Sequence, residues 1–554
     1  MKGIIKYKSI VIISVVSVVL IGLHTTLFWG GSGTVIDLIQ GNLSPAVDLS
    51  AFTTKDTRQS QNEITSVLVS IETVKPIFKV LPEYLSFTLD TSQVVGGKWW
   101  NLKADKVETG SGTKHAPVFD FNKKKLDSLV SALTPAYLRI GGSEADKVFY
   151  DLESREEYVD SQEVPERYHQ TMTARQWDNL NSFVKRNGLK FAFTLNSGPS
   201  ARNKSKEWDP RNAEELMRYS KEKGYTIDVF ELGNEHNLFW YIYGLGQIVD
   251  PDQYQKDILV LRQLMEQYYP QARLGSQGSA IWPVLGELLG AFFGFYKEMI
   301  ELSGGDVDVI AWHYYPQQSR RGPFASRKAH PARLLDSENL DEAAYWAKRF
   351  TGLRDQFAEG KGIWLGETGN AQFGGEPGVS DAYIGGLWWL DQLGLLAANG
   401  VEAVFRQTLA GMNYGMMDPE TLDLNPDYWN SLLWKQLMGT DVYKVNLKGE
   451  NTSKVRVYAH SRRDEKGLTV LAINLDHQKK ASFTFSDVEQ QEVTLFRLTT
   501  PDILGKDVHL NGRKLNVDDA QTFPEPKGKT ERYSESNPIV LGPLTYGFVQ
   551  FKGQ

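Results

Sequence analysis

The stretch DVFELGNEHN, residues 228–237, opens as an apolar run of strand character and stops in Gly233, Asn234 and Glu235. A buried strand that ends by delivering an acid has a form repeated along the chain. The matching runs are LSFTLD (85–90), AYLRIGG (136–142), KFAFTLN (190–196), RLGSQ (273–277), VDVIAWHYY (307–315), GIWLGE (362–367) and VEAVFRQ (401–407). Between them lie amphipathic stretches such as ARQWDNLNSFVKRNG and NAEELMRYSKEKG, several closed by the Gly that a helix C-cap favours. Strand-then-helix alternation of this kind predicts an α/β fold, a (β/α)8 TIM barrel over 85–436, and in a barrel the active site lies at the C-terminal ends of the strands. Those ends are polar throughout: Asp90, Ser143 just beyond the glycines, Asn196, Glu235, Gln277, Tyr315, Glu367 and Gln407.

Outside the barrel the pattern changes. From 437 to 554 the chain alternates in short strands without helices, as in VRVYAHS, LTVLAINL and LTYGFVQF, which predicts an all-β sandwich. The alternating ITSVLVSIET has no place among the barrel strands, so the segment 64–84 is expected to pair with that C-terminal module. Residues 30–63 are rich in Gly, Ser, Thr and Gln and read as a tether. Residues 1–29 read as a signal peptide or an N-terminal membrane anchor, since Lys2, Lys6 and Lys8 precede the apolar run IVIISVVSVVLIGL. A secreted, periplasmic or membrane-anchored protein with its folded part outside the cytoplasm follows.

Composition narrows the chemistry. A net charge of −7 argues against a nucleic-acid-binding surface, and the absence of cysteine removes thiol nucleophiles, disulfides and Cys-ligated metals. The 14 Trp and 24 Tyr supply aromatic faces with polar tips, which suit hydroxyl-bearing ligands. No His-x-x-x-His or similar spacing exists for a zinc site, so neither metal nor cofactor is expected.

Two strand tips carry glutamates in matching settings, ELGNE at Glu235 and WLGE at Glu367. Two carboxyl groups converging on one barrel mouth are what glycosidic cleavage requires: one protonates the leaving oxygen and the other attacks or stabilises the anomeric carbon. Their roles need different protonation states at one pH, which environment must supply. Asn234 is placed to meet the ring 2-hydroxyl. His313 shares a face with Tyr315, and His236 is expected to shape the loop behind Glu235.

These motifs, with LTPAYLRIGGSEAD, IWLGETGNAQFGGEPGVSD and FRQTLAGMNYGMMD, resemble the heparanase and β-glucuronidase group, glycoside hydrolase family 79 of clan A, over nearly the whole chain after the tether. The resemblance implies a retaining double displacement with Glu235 as acid/base and Glu367 as nucleophile. It also implies a uronic-acid subsite lined by Asp90, Asn234, Tyr315, Gln407 and Tyr414, to which the polar strand ends Ser143 and Asn196, and His313 on the face of Tyr315, add further substrate-binding candidates. Backbone N–H groups at Gly374 and Gly375 in FGGE suit the sugar carboxylate. Arg202, Arg320 and Arg321 sit in basic loops after two barrel strands and are candidate anion contacts. The expected substrate is a glucuronate-containing oligosaccharide or polysaccharide, a glycosaminoglycan among them. The span DLESREEYVDSQEVPERYHQT is short where mammalian heparanases carry an excised linker, so a bacterial-type single chain is expected. A clan A exo-glycosidase for a neutral sugar and a non-catalytic glycan-binding surface protein stand as alternatives, and exo or endo action is left open.

Overall fold

The computed structural model describes residues 63–99, 115–160, 162–281, 283, 295–322, 325–486, 488–517 and 526–553. The expected signal or anchor (1–29) and nearly all of the tether (30–63) lie outside them. Among the described residues no helix is long and apolar enough to cross a membrane.

Eight parallel strands close into a barrel. In chain order they are Leu85–Asp90, Tyr137–Gly141, Lys190–Leu195, Val229–Leu232, Arg273–Gly275, Val309–Tyr314, Gly362–Thr368 and Ala403–Arg406. Each pairs with its sequence neighbours, the eighth returns to the first, and the fifth reaches the sixth through Gly275 and Val309. The expected TIM barrel is therefore the fold observed. The helices form where the apolar spacing and caps allow them. Ala174–Arg186 starts on a capping box in which Thr173 and Gln176 satisfy each other's backbone N–H groups, and Pro251–Tyr268 starts with Asp250 as N-cap and proline in its first turn.

The barrel interior is built in layers. Tyr137, Ala192, Val229, Val309, Trp364, Ala403 and Phe405 make an apolar cluster distinct from the outer core. Two residues further along their strands, Arg139, Thr194 and Glu231 point the same way by strand alternation and form a polar layer above it. The catalytic-type side chains stand above that.

The C-terminal module is a mixed β-structure, and Ile64–Glu72 lies inside it, antiparallel to Met438–Gly449 and parallel to Lys480–Phe485. Met438–Gly449 has a register shift between Met438 and Val442, pairing its first part with Val455–Arg462 and its last part with Ile64–Glu72. Its partner changes between Tyr443 and Lys444, and a long strand that pairs in turn with both layers joins the two layers of a sandwich. Val67, Val69, Ile71, Val457, Val470, Phe483, Leu495 and Phe551 fill the space between them. Helix Tyr383–Ala398 is buried on every side because it is wedged between barrel and sandwich, where its Asp391 accepts from Tyr458 at 2.7 Å.

Candidate active site

Strand alternation alone would not present Glu367. In the seventh barrel strand Trp364 faces inward, so Glu367 would face out. The strand instead bulges: Leu365 pairs with Trp312 but Glu367 pairs with the next residue, His313, so two residues oppose one and Glu367 turns into the barrel.

The fourth strand ends at Leu232, and a turn rather than the strand carries Glu235. Gly233 has φ +72°, and a Cβ there would sit 2.0 Å from Ser197 Oγ, so only glycine fits. Glu235 itself adopts the left-handed region at φ +53°, which costs about 1 kcal/mol for a residue with a side chain. The surroundings hold it there. Its N–H donates to Gln277 O at 2.8 Å, the His236 N–H donates to Gln277 Oε1 at 2.9 Å, and the Asn234 N–H donates to Asp146 Oδ2 at 2.9 Å. Asp146 also accepts from the Ser197 N–H at 2.9 Å, and Ser197 Oγ lies 2.7 Å from His236 Nε2. His236 thus braces the loop, stacked on Phe239.

Both glutamates are buried, at 6% and 8% exposure, and the donor atoms of Glu235, His313 and Glu367 lie within 4.8 Å of one another. His313 Nδ1 is 2.8 Å from Glu235 Oε1, Tyr315 donates to Glu367 Oε1 at 2.6 Å, and Arg139 Nη1 donates to Glu367 Oε2 at 3.3 Å. Three such donors resemble a metal-ligand set that no linear spacing announces, yet both Glu367 oxygens and Glu235 Oε1 are engaged by these side chains.

The two carboxyls sit in different fields. Burial lifts Glu235 to about 8, against the pull of Arg139 and with the push of Glu144. Burial also raises Glu367, but His313, Arg139 and the Tyr315 hydroxyl all oppose it. Burial lowers His313 to about 4, so near neutral pH it carries no charge and Arg139 and Tyr315 are the groups that favour the Glu367 anion. Glycosidic cleavage uses a protonated acid beside an ionised partner, and Arg139 and Tyr315 are the groups here that favour the ionised form of Glu367.

Arg139 was not singled out from the sequence, and it is central. It is 1% exposed and spends its guanidinium on Glu231 Oε2 (2.8 Å), Asn234 Oδ1 (3.0 Å) and Glu367. Its signal was a charged residue sharing the inward face with Tyr137 inside an otherwise apolar strand.

The remaining sequence candidates separate into two groups. Asp90, Asn234, His313, Tyr315, Gln407 and Tyr414 are buried around the glutamates. Tyr315 and Tyr414 stack with centroids 6.2 Å apart, and Thr88 donates to Gln407 Oε1. Asp90 caps the short helix Thr91–Val95 through Oδ1, and burial and Glu144 push it to about 8. Ser143 is half-buried beside Gly142, against which Asp90 Oδ2 packs.

Asn196, Arg202, Arg320 and Arg321 are tied to other protein groups. Asn196 donates to Val148 O and Ser200 Oγ and accepts from the Gly198 N–H, so its amide shapes the loop after the third strand. Arg202 is 5% exposed and pairs with Asp257 at 2.7 Å, because helix Pro251–Tyr268 brings that carboxylate beneath it. Arg320 is held by Glu376 at 2.8 Å, and Arg321 donates to Gly375 O at 2.7 Å and Asn413 Oδ1 at 2.8 Å. Phe373, Gly374 and Gly375 all have positive φ, at +63°, +80° and +78°. Among the described residues the Gly374 and Gly375 N–H groups have no partner, whereas both carbonyls do.

Comparison with known proteins gives the family. The sequence model described as glycosyl hydrolase family 79, N-terminal domain, matches residues 66–394. Heparanase of Mus musculus is 29% identical over 526 residues, 86% of this chain and 91% of its own length. Baicalin-β-D-glucuronidase of Scutellaria baicalensis is 28% identical, over 88% of this chain and 92% of its own. The crystal structure of a 4-O-α-L-rhamnosyl-β-D-glucuronidase from Fusarium oxysporum superposes with a TM-score of 0.62 at 15% identity, over 87% of this chain and all of that one, a likeness of fold. The chain belongs to glycosyl hydrolase family 79 and is a glycoside hydrolase.

Proposed function

We propose that this protein is a retaining β-glucuronidase of the heparanase type, with Glu367 as nucleophile and Glu235 as acid/base. The observation that carries the reading is the pair of buried glutamates with carboxylate oxygens within 4.8 Å of each other. Retaining enzymes hold their carboxyls about 5–5.5 Å apart, whereas inverting ones leave about 6.5–9.5 Å for a water.

In the first half-reaction Glu367 attacks the anomeric carbon while Glu235 protonates the departing glycosidic oxygen. If His313 Nδ1–H donates to Glu235 Oε1, the acidic proton stands on Oε2 and is available to the leaving group. In the second half-reaction Glu235, now ionised, takes a proton from water as it attacks the glycosyl ester, and Glu367 departs. Arg139 and Tyr315 stabilise Glu367 as a carboxylate, and Asn234, fixed by Arg139, is placed to bind the 2-hydroxyl in the transition state.

The free N–H groups of Gly374 and Gly375 suit a uronate carboxylate, with Asp90, Ser143, Gln407 and Tyr414 for the sugar hydroxyls. The names of the heparanase and baicalin-β-D-glucuronidase relatives support a glucuronide substrate. The N-terminal basic and apolar segment supports export, with the substrate a glycan outside the cytoplasm.

The test uses purified enzyme on aryl β-D-glucuronide, β-D-glucoside and β-D-xyloside. The glucuronide is expected to be hydrolysed far faster than the neutral sugars. Glu367→Gln is expected to abolish turnover, and Glu235→Gln to spare substrates with good leaving groups. A Glu367→Gln enzyme that kept the parent rate would refute the assignment of roles, and equal rates on the three glycosides would refute the sugar.

A further inference from the structure

We propose that Arg321 sets the preference for an acidic sugar, acting through the backbone of the loop 373–376 without touching the anion. The inference rests on the reading of Gly374 and Gly375 as the carboxylate subsite. Its basis is the way three loops are tied together above the barrel. The Arg321 Nη2 donates to Gly375 O at 2.7 Å, on the loop after the seventh strand, and to Asn413 Oδ1 at 2.8 Å, on the loop after the eighth. Its Nε donates to Ser319 Oγ at 3.2 Å on its own loop after the sixth. Ser319 and Arg320 in turn bind Glu376, the residue that follows the glycines.

The consequence is a sorted peptide loop. Both carbonyls at Gly374 and Gly375 are drawn to one side, Gly375 O by Arg321 and Gly374 O by the Asn413 N–H at 2.8 Å. The N–H groups are left for a ligand. Gly374 O and the Gly375 N–H belong to one peptide unit, so a donor on that carbonyl polarises the N–H and strengthens it toward an anion. Arg321 holds the loop in place by its own bond to Gly375 O, and by fixing Asn413 it supports the donor on Gly374 O that polarises the Gly375 N–H. The glycines are required, because their φ of +80° and +78° would strain other residues and a Cβ on Gly375 would meet the Tyr414 N at 2.7 Å.

Arg320 differs. Its guanidinium is paired with Glu376 and its side chain is 61% exposed, so it contributes little field to the loop. The Arg321 side chain is half-buried and donates to a carbonyl, an amide oxygen and a hydroxyl.

The experiment compares the parent with Arg321→Met, Arg321→Lys and Asn413→Ala on 4-nitrophenyl β-D-glucuronide and 4-nitrophenyl β-D-glucoside, with folding checked by thermal melting. In Arg321→Met the ratio of kcat/KM for glucuronide over glucoside is expected to fall at least tenfold, carried by KM for the glucuronide, while glucoside hydrolysis stays within twofold. Asn413→Ala is expected to change the ratio in the same direction, and Arg321→Lys to lie between Arg321→Met and the parent. A purely structural arginine would lower both substrates together. A parent that prefers the glucuronide, with variants that keep its ratio, overturns the inference alone; a parent with no preference overturns the carboxylate subsite as well. If Arg321→Met does not fold, Asn413→Ala and Arg321→Lys decide by the same ratio.

Discussion

Replacing Glu235 by Gln makes the protein more stable relative to the parent as pH rises, and the size of the effect follows from the burial of that carboxyl. Its pKa moves from a model-compound 4.5 to about 8 on folding. The folded state therefore holds a proton that the unfolded chain releases. The contribution to stability is complete below about 4.5 and is lost as pH rises through about 8. At roughly 1.4 kcal/mol per pH unit the loss amounts to about 3 kcal/mol at pH 7 and about 5 kcal/mol once the group ionises. Gln has the same shape and no proton to lose, so it escapes this penalty. Asp90 and Asp146, also raised by burial, remain in both proteins and cancel in the difference. Urea unfolding of parent and variant at pH 5, 6, 7 and 8 measures it. The expected result is a difference near zero at the acid end that grows in the variant's favour with each unit. A difference flat from pH 5 to pH 8 would refute the claim that Glu235 is held protonated, and with it the reason that it acts as the acid.

Three further outcomes are expected. Arg139→Met leaves Glu231 and Glu367 without their buried cation, so stability drops by about 3–5 kcal/mol and kcat by about 100-fold or more, and the acid limb of the pH–rate profile moves up. Calorimetry and the profile measure these, and an unchanged acid limb would mean that Arg139 only supports the fold. Tyr315→Phe removes the 2.6 Å bond to Glu367, worth about 1.5–3 kcal/mol for a charged acceptor, so the acid limb is expected to rise by about one to two pH units. Dialysis against EDTA is expected to leave activity unchanged, since Glu235, His313 and Glu367 act here as hydrogen-bonded groups; loss restored by a divalent ion would show that they hold a metal.

The barrel was legible because its strands are short apolar runs with a shared polar ending, and the two glutamates stood out because both close such runs. The N-terminal strand at 64–72 was legible by exclusion, as an alternating segment with no helix to pair it into the barrel. What stayed hidden depends on contacts between distant segments. Arg139 meets Glu231 and Glu367 only when the second, fourth and seventh strands are side by side. Arg202 looked like a free cation at the mouth because Asp257 lies on a helix more than fifty residues away. The bulge that turns Glu367 inward shows only as a glycine before the acid, and the left-handed turn at Glu235 depends on Asp146 and Gln277 from other loops.

The chemistry rests on a covalent bond between the sugar and Glu367, and that bond can be weighed. Incubation with a 2-deoxy-2-fluoro-glucuronyl fluoride slows the second half-reaction and traps the glycosyl ester. Peptide mass spectrometry is then expected to find one equivalent of the label on Glu367, in step with loss of activity. A label on any other residue, or full turnover without a label and with inversion at the anomeric carbon, would contradict a double displacement through Glu367.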